Sequence, residues 1–364
     1  MGGGAEVHLH EIFKRIVGLG HEVTFLSCRY PGAKTEEYID GIRIIRHGSR
    51  AFYNYHVPFI YRKLKSNYSF DIVVDAINKI PLFTPLFIRK IPTLTIVHHL
   101  FRKSIFTEAA LPAALYVYSM ESLVGLIYRK KPFCVISEST RKDIKALRIS
   151  DNQISLIDIC VDHDLYKPLL PSKTPYPLIS YLGRIKRYKS VDHVLHAFAR
   201  IKDVLPETQL VILGDGDDLP RLKTIAHDLN LQDVTFLGFI GPEEKVKYLQ
   251  KSHIVVNPSS KEGWGLTVIE ANACGTPVVA SDVPGLRDSV VDGKTGFLYP
   301  YGDVISLADK TIQILQDGSL RRKMEENALK WAARFHWDVS AQKTLDLIEK
   351  IISSYPEIPI VTSL

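Results

Sequence analysis

Apolar, β-branched runs of four to six residues alternate along the chain with stretches of helical periodicity. The runs are Glu22 to Ser27, Asp71 to Asp75, Thr93 to Val97 and Phe133 to Ser137, then Leu178 to Leu182, Gln209 to Leu213, Val234 to Leu237, Ile254 to Asn257 and Pro277 to Ala280. Strands separated by helices predict parallel sheets built from βαβ units, an α/β fold. The two groups of strands are divided by Asp164 to Pro177, where four prolines interrupt any regular element and mark a linker. The longest apolar run, Ala113 to Tyr128, is broken by Ser119, Glu121 and Ser122 and falls short of the roughly 20 residues that span a bilayer. It reads as a buried or interfacial helix. The tail after Ser354 reads as a loose end.

One position in this pattern is unfilled. The chain begins at Gly2-Gly3-Gly4, already a turn, and runs directly into the helix-like stretch Ala5 to Leu19. In a doubly wound sheet a central first strand delivers such a turn. Its absence would leave neighbouring strands with unpaired backbone groups, each costing about 1 to 3 kcal/mol if buried. The expectation is that Met1 is internal and the native start lies upstream.

Composition narrows the class. With 364 residues, 46% hydrophobic and 24% charged, the chain suits two globular domains, neither disordered nor integral to a membrane. The four cysteines, Cys28, Cys134, Cys160 and Cys274, lack the spacing of zinc or redox motifs and suit a reducing compartment. The net charge of +6 is uneven: residues 1–168 carry about +7 and the remainder about −1. Arg62-Lys63-Leu64-Lys65, Arg102-Lys103 and Arg129-Lys130-Lys131 would attract an anionic membrane or a phosphate-bearing acceptor, unless they are ordinary solvated faces. Nucleic acid is disfavoured, because the basic residues do not gather on one helix.

The candidate chemistry lies mainly after strands. Asn257 to Ala271 follows a buried strand and leads into a helix. Gly263 and Gly265 allow close backbone approach, so amides near Leu266 and Thr267 can face an anion such as a diphosphate. Glu270 is expected in the first helical turn and Glu262 in the loop, where they would serve different parts of one ligand. The plainer readings are a carboxylate at a helix dipole, worth about 0.3 to 1 kcal/mol, and a solvated loop residue. In Tyr181 to Ser190, the turn at Gly183 is followed by Arg184, Lys186, Arg187 and Lys189 just past a strand end, where open α/β sheets bind ligands. Gly214-Asp215-Gly216 also follows a strand but lacks the third glycine of a dinucleotide fingerprint, since Leu219 stands there. His98 ends the strand Thr93 to Val97; such a histidine is more often structural. His8 and His10, two apart on a helix, point to different sides and make a poor metal pair.

Taken together, the stretch from Glu262 to Glu270, Ala273 to Ala280 and Val291 to Leu298 resembles the retaining family 4 glycosyltransferases, whose Glu, seven residues, Glu motif it repeats. The resemblance runs from Gly3 to about Ile352. It implies the glycosyltransferase B fold: an N-terminal Rossmann-like acceptor lobe over residues 1–168, closed by Val161 to Pro168; a donor lobe over 169–336; and, after the aromatic turn Phe335-His336-Trp337-Asp338, a last segment 337–364 crossing back to the first lobe, with the donor cleft between lobes. It implies that Glu270 binds the donor ribose, that Glu262 contacts the transferred sugar, and that Arg184 and Lys189 clamp the diphosphate as the glycosidic bond breaks. Gly214 and Gly216 would line the donor site and Gly238 and Phe239 approach the base. Gly3 and Gly4 would form the glycine-pair loop near the phosphates, and His98, rather than His99, would face the reacting centre. Cys160 stands where the family has a glycine, and Pro284 to Asp288 departs from its usual glycine pair and glutamate.

The implied activity is a retaining, metal-independent hexose transfer from a UDP- or GDP-linked sugar to an acceptor sugar, lipid or polysaccharide intermediate, with no cofactor, in a cytoplasmic protein whose peripheral attachment to the inner membrane face is left open. The alternative is a truncated or non-catalytic nucleotide-sugar binding protein. A nucleotide-sugar epimerase is a second rival, disfavoured by the combination of Arg184, Lys189, Glu262 and Glu270.

Overall fold

A computed structural model describes residues 3–49, 53–78, 80–169 and 173–355. The chain runs α1 (Gly4–Gly18), β1 (Thr24–Ser27), β2 (Glu36–Ile39), β3 (Ile42–Arg46), α2 (Tyr53–Asn67), β4 (Val73–Ile77), β5 (Thr93–Val97), α3 (Ile105–Glu108), α4 (Leu111–Ser122), α5 (Val124–Ile127), β6 (Phe133–Val135), α6 (Glu138–Ala146) and β7 (Ile154–Leu156). It continues β8 (Leu178–Leu182), α7 (Val191–Val204), β9 (Gln209–Leu213), α8 (Leu219–Asp228), β10 (Val234–Gly238), α9 (Pro242–Lys251), β11 (Ile254–Asn257), α10 (Leu266–Ala273), β12 (Val278–Ser281), α11 (Leu286–Ser289), β13 (Gly296–Tyr299), α12 (Val304–Gln316), α13 (Gly318–Ala332) and α14 (Trp337–Ser353). No helix among the described residues is long and apolar enough to cross a membrane.

Two compact units result, one of Met1–Asp158 with Trp337–Leu364, the other of Ile159–His336. The division falls after Asp158, upstream of the expected Pro168. The reason is local: Val161 bridges to His336 and its amide donates to Phe335 O at 3.3 Å, so the segment after Asp158 is tied into the second unit. The linker residues 170–172, Gly2 and the end of the tail lie outside the described residues.

In the first unit the strands fall into two sheets, a parallel one of order β4-β5-β6-β7 and a three-stranded one of order β1-β3-β2. β1 and β4 are both edge strands, and among the described residues no strand precedes α1. The antiparallel pairing of β2 with β3 departs from the all-parallel expectation. It is a two-residue hairpin at Asp40 (φ 49°) and Gly41 (φ 78°), the left-handed pair that matches strand twist. Ile77, Val97, Tyr128, Phe133 and Val135 form the core of this unit. α14 packs along α1, with Arg15 Nε donating to Asp338 Oδ1 at 2.5 Å and Ser340 Oγ to Asp158 O at 3.0 Å.

The second unit is one parallel sheet of six strands, in order β10-β9-β8-β11-β12-β13. Its strands are short continuous apolar runs because helices cover both faces; β8, β11 and β12 are buried along their whole length. Val191, Leu195 and Phe198 of α7 and Leu307 and Ile314 of α12 close over Ile179, Tyr181, Ile212 and Val256. Counted from β8, the order is 3-2-1-4-5-6, and the direction of winding reverses between β8 and β11.

Candidate functional site

At such a reversal the loops leaving two adjacent parallel strands turn to opposite sides, and the crevice outside their carboxyl ends is open to a ligand. Here those loops are Gly183–Ser190 after β8 and Pro258–Gly265 after β11. They are tied together: the amide and hydroxyl of Ser260 both donate to Tyr188 O, at 2.8 and 3.0 Å. Lys189 Nζ then donates to Glu262 Oε1, which also accepts from Ser259 Oγ at 2.8 Å. The ion pair is largely shielded, its side chains 14% and 17% exposed. Burial works against the Lys189 ammonium, but Glu262 and Tyr188 outweigh it and hold its pKa above the ordinary lysine value, with nearby Arg184 opposing them.

Arg184 leaves the same loop with its side chain exposed, while its carbonyl is fixed by the Tyr181 hydroxyl at 3.0 Å. Lys186 and Arg187 turn to the carboxylates of the next loop, at 2.7 Å to Asp217 and 3.8 Å to Asp218. Lys189 is thus paired between the loops after β8 and β11, whereas Lys186 and Arg187 face the loop after β9.

α10 begins at Leu266 behind Gly265, whose φ of 93° and crowded Cβ position, 2.8 Å from Ser289 Oγ, exclude a larger residue. The first-turn amides of a helix have no carbonyl partner within it. Val268 N finds Gly265 O at 2.8 Å, and the helix start at Leu266 and Thr267 is the end of α10 where amides can take an anion. Glu270 does not lie in that turn. It is the fifth helical residue, in the second turn and 5% exposed, because the left-handed Gly265 delays the helix start. A helix-dipole role is thereby removed. Its carboxylate instead pairs with Lys245 of α9, and the Tyr166 hydroxyl donates to it; burial first and then Glu270 push the Tyr166 pKa up. Lys245 also lies 5.3 Å over the Tyr166 ring.

The glycines after β9 have a packing role. A Cβ on Gly214 would stand 1.8 Å from Gly183 O, and one on Gly216 1.9 Å from Ile185 O. The loops after β8 and β9 touch backbone to backbone, with Ile185 N donating to Asp215 O at 2.9 Å, and the β9 turn is tied to the end of β10 by Gly214 N donating to Gly238 O at 2.8 Å. Phe239, just past β10, is 59% exposed.

The remaining predicted residues belong to the first unit. Gly3 precedes α1, and its amide donates to Glu6 Oε2 at 2.7 Å; Gly4 is already the first helical residue. His98 follows β5 but is only 2% exposed, with its Nε2 3.0 Å from His8 Nδ1. His8, also 2% exposed, is lowered by burial to about 4, and His98 by burial and then by His8 and His99. The ring expected to face the reacting centre is a buried member of a histidine pair. His10 goes elsewhere, to Asp40 at 2.7 Å.

Lys245 and Tyr166 escape sequence reasoning. In Pro242–Lys251 the lysines at 245, 247 and 251 look alike until packing of Val246 and Leu249 turns one of them inward. Tyr166 lies in the segment expected to close the other lobe. Chemically, the second unit offers two cations and a helix N-terminus for a diphosphate, and two partnered carboxylates that can accept hydrogen bonds from hydroxyls.

Residues 163–331 match the family model described as "Glycosyl transferases group 1", and residues 2–165 the one described as "Glycosyltransferase Family 4". A D-inositol 3-phosphate glycosyltransferase of Corynebacterium jeikeium is 36% identical over 182 residues, which are 48% of this chain and 43% of that one. The chain spans about half the length, or less, of the curated relatives it matches. Among solved structures, sucrose-phosphate synthase of Thermosynechococcus elongatus superposes with a TM-score of 0.84 at 23% identity, covering 97% of this chain and 95% of that one. Anabaena HepE in complex with UDP and glucose superposes with a TM-score of 0.77 at 17% identity, covering 96% of each. These structural likenesses establish a shared fold of two Rossmann-like domains.

Proposed function

The chain belongs to the group 1, family 4 glycosyltransferases, and we propose that it transfers a hexose from a nucleotide-diphosphate sugar to an acceptor hydroxyl with retention at the anomeric carbon. The observation that carries this reading is the convergence of Arg184, Lys189, Glu262 and the start of α10 at the winding reversal between β8 and β11. As the bond from the anomeric carbon to the diphosphate breaks, negative charge grows on the departing oxygen. Arg184, Lys189 and the Leu266 and Thr267 amides are set to receive it, which is electrostatic stabilisation by groups already in place. The departing oxygen accepts the proton of the acceptor hydroxyl on the same face, and the new glycosidic bond forms there. Glu270, held by Lys245 and Tyr166, would accept hydrogen bonds from the ribose hydroxyls, and Glu262 from the sugar. Charge neutralisation on this reading needs no metal and no cofactor.

The direct test is a thermal-shift screen against UDP-glucose, UDP-N-acetylglucosamine and GDP-mannose, followed by NMR of the anomeric configuration of any transfer or hydrolysis product. The expected result is stabilisation by one donor and an α-configured product from it. Stabilisation by none of the donors sinks the proposal, and an inverted product sinks the retaining mechanism. Binding with neither transfer nor hydrolysis would favour a non-catalytic binder.

A further inference from the structure

We propose that the exposed faces of α2 and of α4 with α5 form a docking surface for a bilayer carrying anionic headgroups. The surface is independent of the donor chemistry of the second unit.

The first ten residues of α4, Leu111 to Met120, carry no charge. A helix apolar around its whole circumference is ordinarily buried. In α4 only Ala114 and Glu121 are buried. Glu121, its single charged residue, turns inward, where its carboxylate oxygens accept from the amides of Phe101 at 2.6 Å and Arg102 at 2.7 Å. The outward face therefore presents Leu111 (64% exposed), Leu115 (49%) and, continuing into α5, Leu126 (73%). α2 joins it through Tyr55 and Tyr116, whose hydroxyls are 3.0 Å apart, and through Asn54 Nδ2, which donates to the Tyr116 hydroxyl at 3.2 Å. One turn on from Tyr55 along α2 stands Phe59, 71% exposed.

Cations border these apolar faces. On α2 the turn after Phe59 carries exposed Arg62 and Lys63, and the helix has no acidic residue. Arg102 lies 5.1 Å over the Tyr118 ring and donates to Ser122 Oγ at 3.4 Å, against the outer side of α4. Exposed Arg129 and Lys130 follow α5 directly. Residues 101–132 hold five Lys and Arg but only two carboxylates, Glu108 and the inward Glu121. Apolar side chains on short helices, bordered by cations, fit the boundary between acyl chains and anionic headgroups. A second copy fits worse, because a two-fold contact would set each basic rim against its own equivalent.

The test is cosedimentation of the full chain with vesicles of phosphatidylcholine alone and with about 30% phosphatidylglycerol added. The expected result is binding to the anionic vesicles only, lost at about 0.5 M salt. Leu115→Glu with Leu126→Glu should lower vesicle binding more than tenfold, and Arg129→Glu and Lys130→Glu by about fivefold or more each. These positions are exposed, so thermal unfolding should not move, and Leu126→Ser is the milder variant if it does. Failure to bind anionic vesicles at low salt overturns the proposal, as does binding that ignores the leucine substitutions. A dimer in sedimentation equilibrium that Leu115→Glu splits would overturn it in favour of a second copy.

Discussion

Lys189 and Glu262, 73 residues apart, meet as an ion pair at the carboxyl ends of two adjacent parallel strands. Each is held where removing the other leaves a poorly solvated charge. Lys189→Ala is therefore expected to do two separable things. Stability should fall by about 1 to 3 kcal/mol, less than for a fully buried pair. Turnover should fall by about 100- to 1000-fold on the proposed mechanism, in which the ammonium also stabilises the leaving group. Adding Glu262→Gln should restore part of the lost melting temperature without restoring the rate. Steady-state transfer assays beside thermal unfolding check this, and near-normal turnover in Lys189→Ala would remove the residue from the mechanism.

Glu270 offers a contrasting case, because its cation, Lys245, comes from another helix and its hydroxyl partner, Tyr166, from the segment before β8. Glu270→Ala should weaken nucleotide-sugar binding by about 10- to 100-fold, the range for a lost hydrogen bond to a charged group. Lys245→Met should weaken binding less, since the carboxylate remains but is freer to turn. Calorimetric titration of the preferred donor distinguishes the two, and equal affinities for wild type and Glu270→Ala would refute the ribose assignment.

How far this site could be read beforehand depends on what each position requires. Parallel strands deliver their carboxyl ends to one edge, so cations after Leu182 and carboxylates after Asn257 had to share a side. Their pairing needed only adjacency of β8 and β11. The turn that holds Glu270 is not legible from residue types, because a helix start depends on the backbone angle at Gly265, which glycine permits but does not specify. His98 could be placed at a strand end, but not its burial, which follows from packing of α1 and its His8 against that end. In the fold, Asp40-Gly41 between apolar-polar runs is a hairpin signal that a search for βαβ units passes over.

Gly216 tests whether the glycines after β9 act through packing. Its backbone is not in the left-handed region, so Gly216→Ala isolates the steric effect, a Cβ 1.9 Å from Ile185 O. The loop must move off the β8 turn and strain the bond from Ile185 N to Asp215 O. A cost of about 1 to 3 kcal/mol is expected, seen as a fall of roughly 2 to 4 °C in melting temperature per kcal/mol. An unchanged melting temperature with weakened donor binding would show that the glycine serves the ligand alone.

The buried histidine pair should make the first unit sensitive to mild acid. Folding lowers His8 from its ordinary 6.5 to about 4. Between those values the unfolded chain takes up a proton that the folded chain refuses, so stability falls as pH drops from 6.5 toward 4 and is regained as pH rises. Each such group contributes about 1.4 kcal/mol per pH unit inside its window. His98, lowered by the same burial and by His8 itself, adds to the slope. His8→Gln keeps a polar group beside His98 Nε2 but cannot titrate. Its melting temperature should fall less between pH 6.5 and 4.5 than that of the wild type, and the remaining fall should shrink again in a variant that also carries His98→Gln. Thermal unfolding across that range measures both slopes, and parallel curves for wild type and His8→Gln would show that the pair is not the acid-sensitive element.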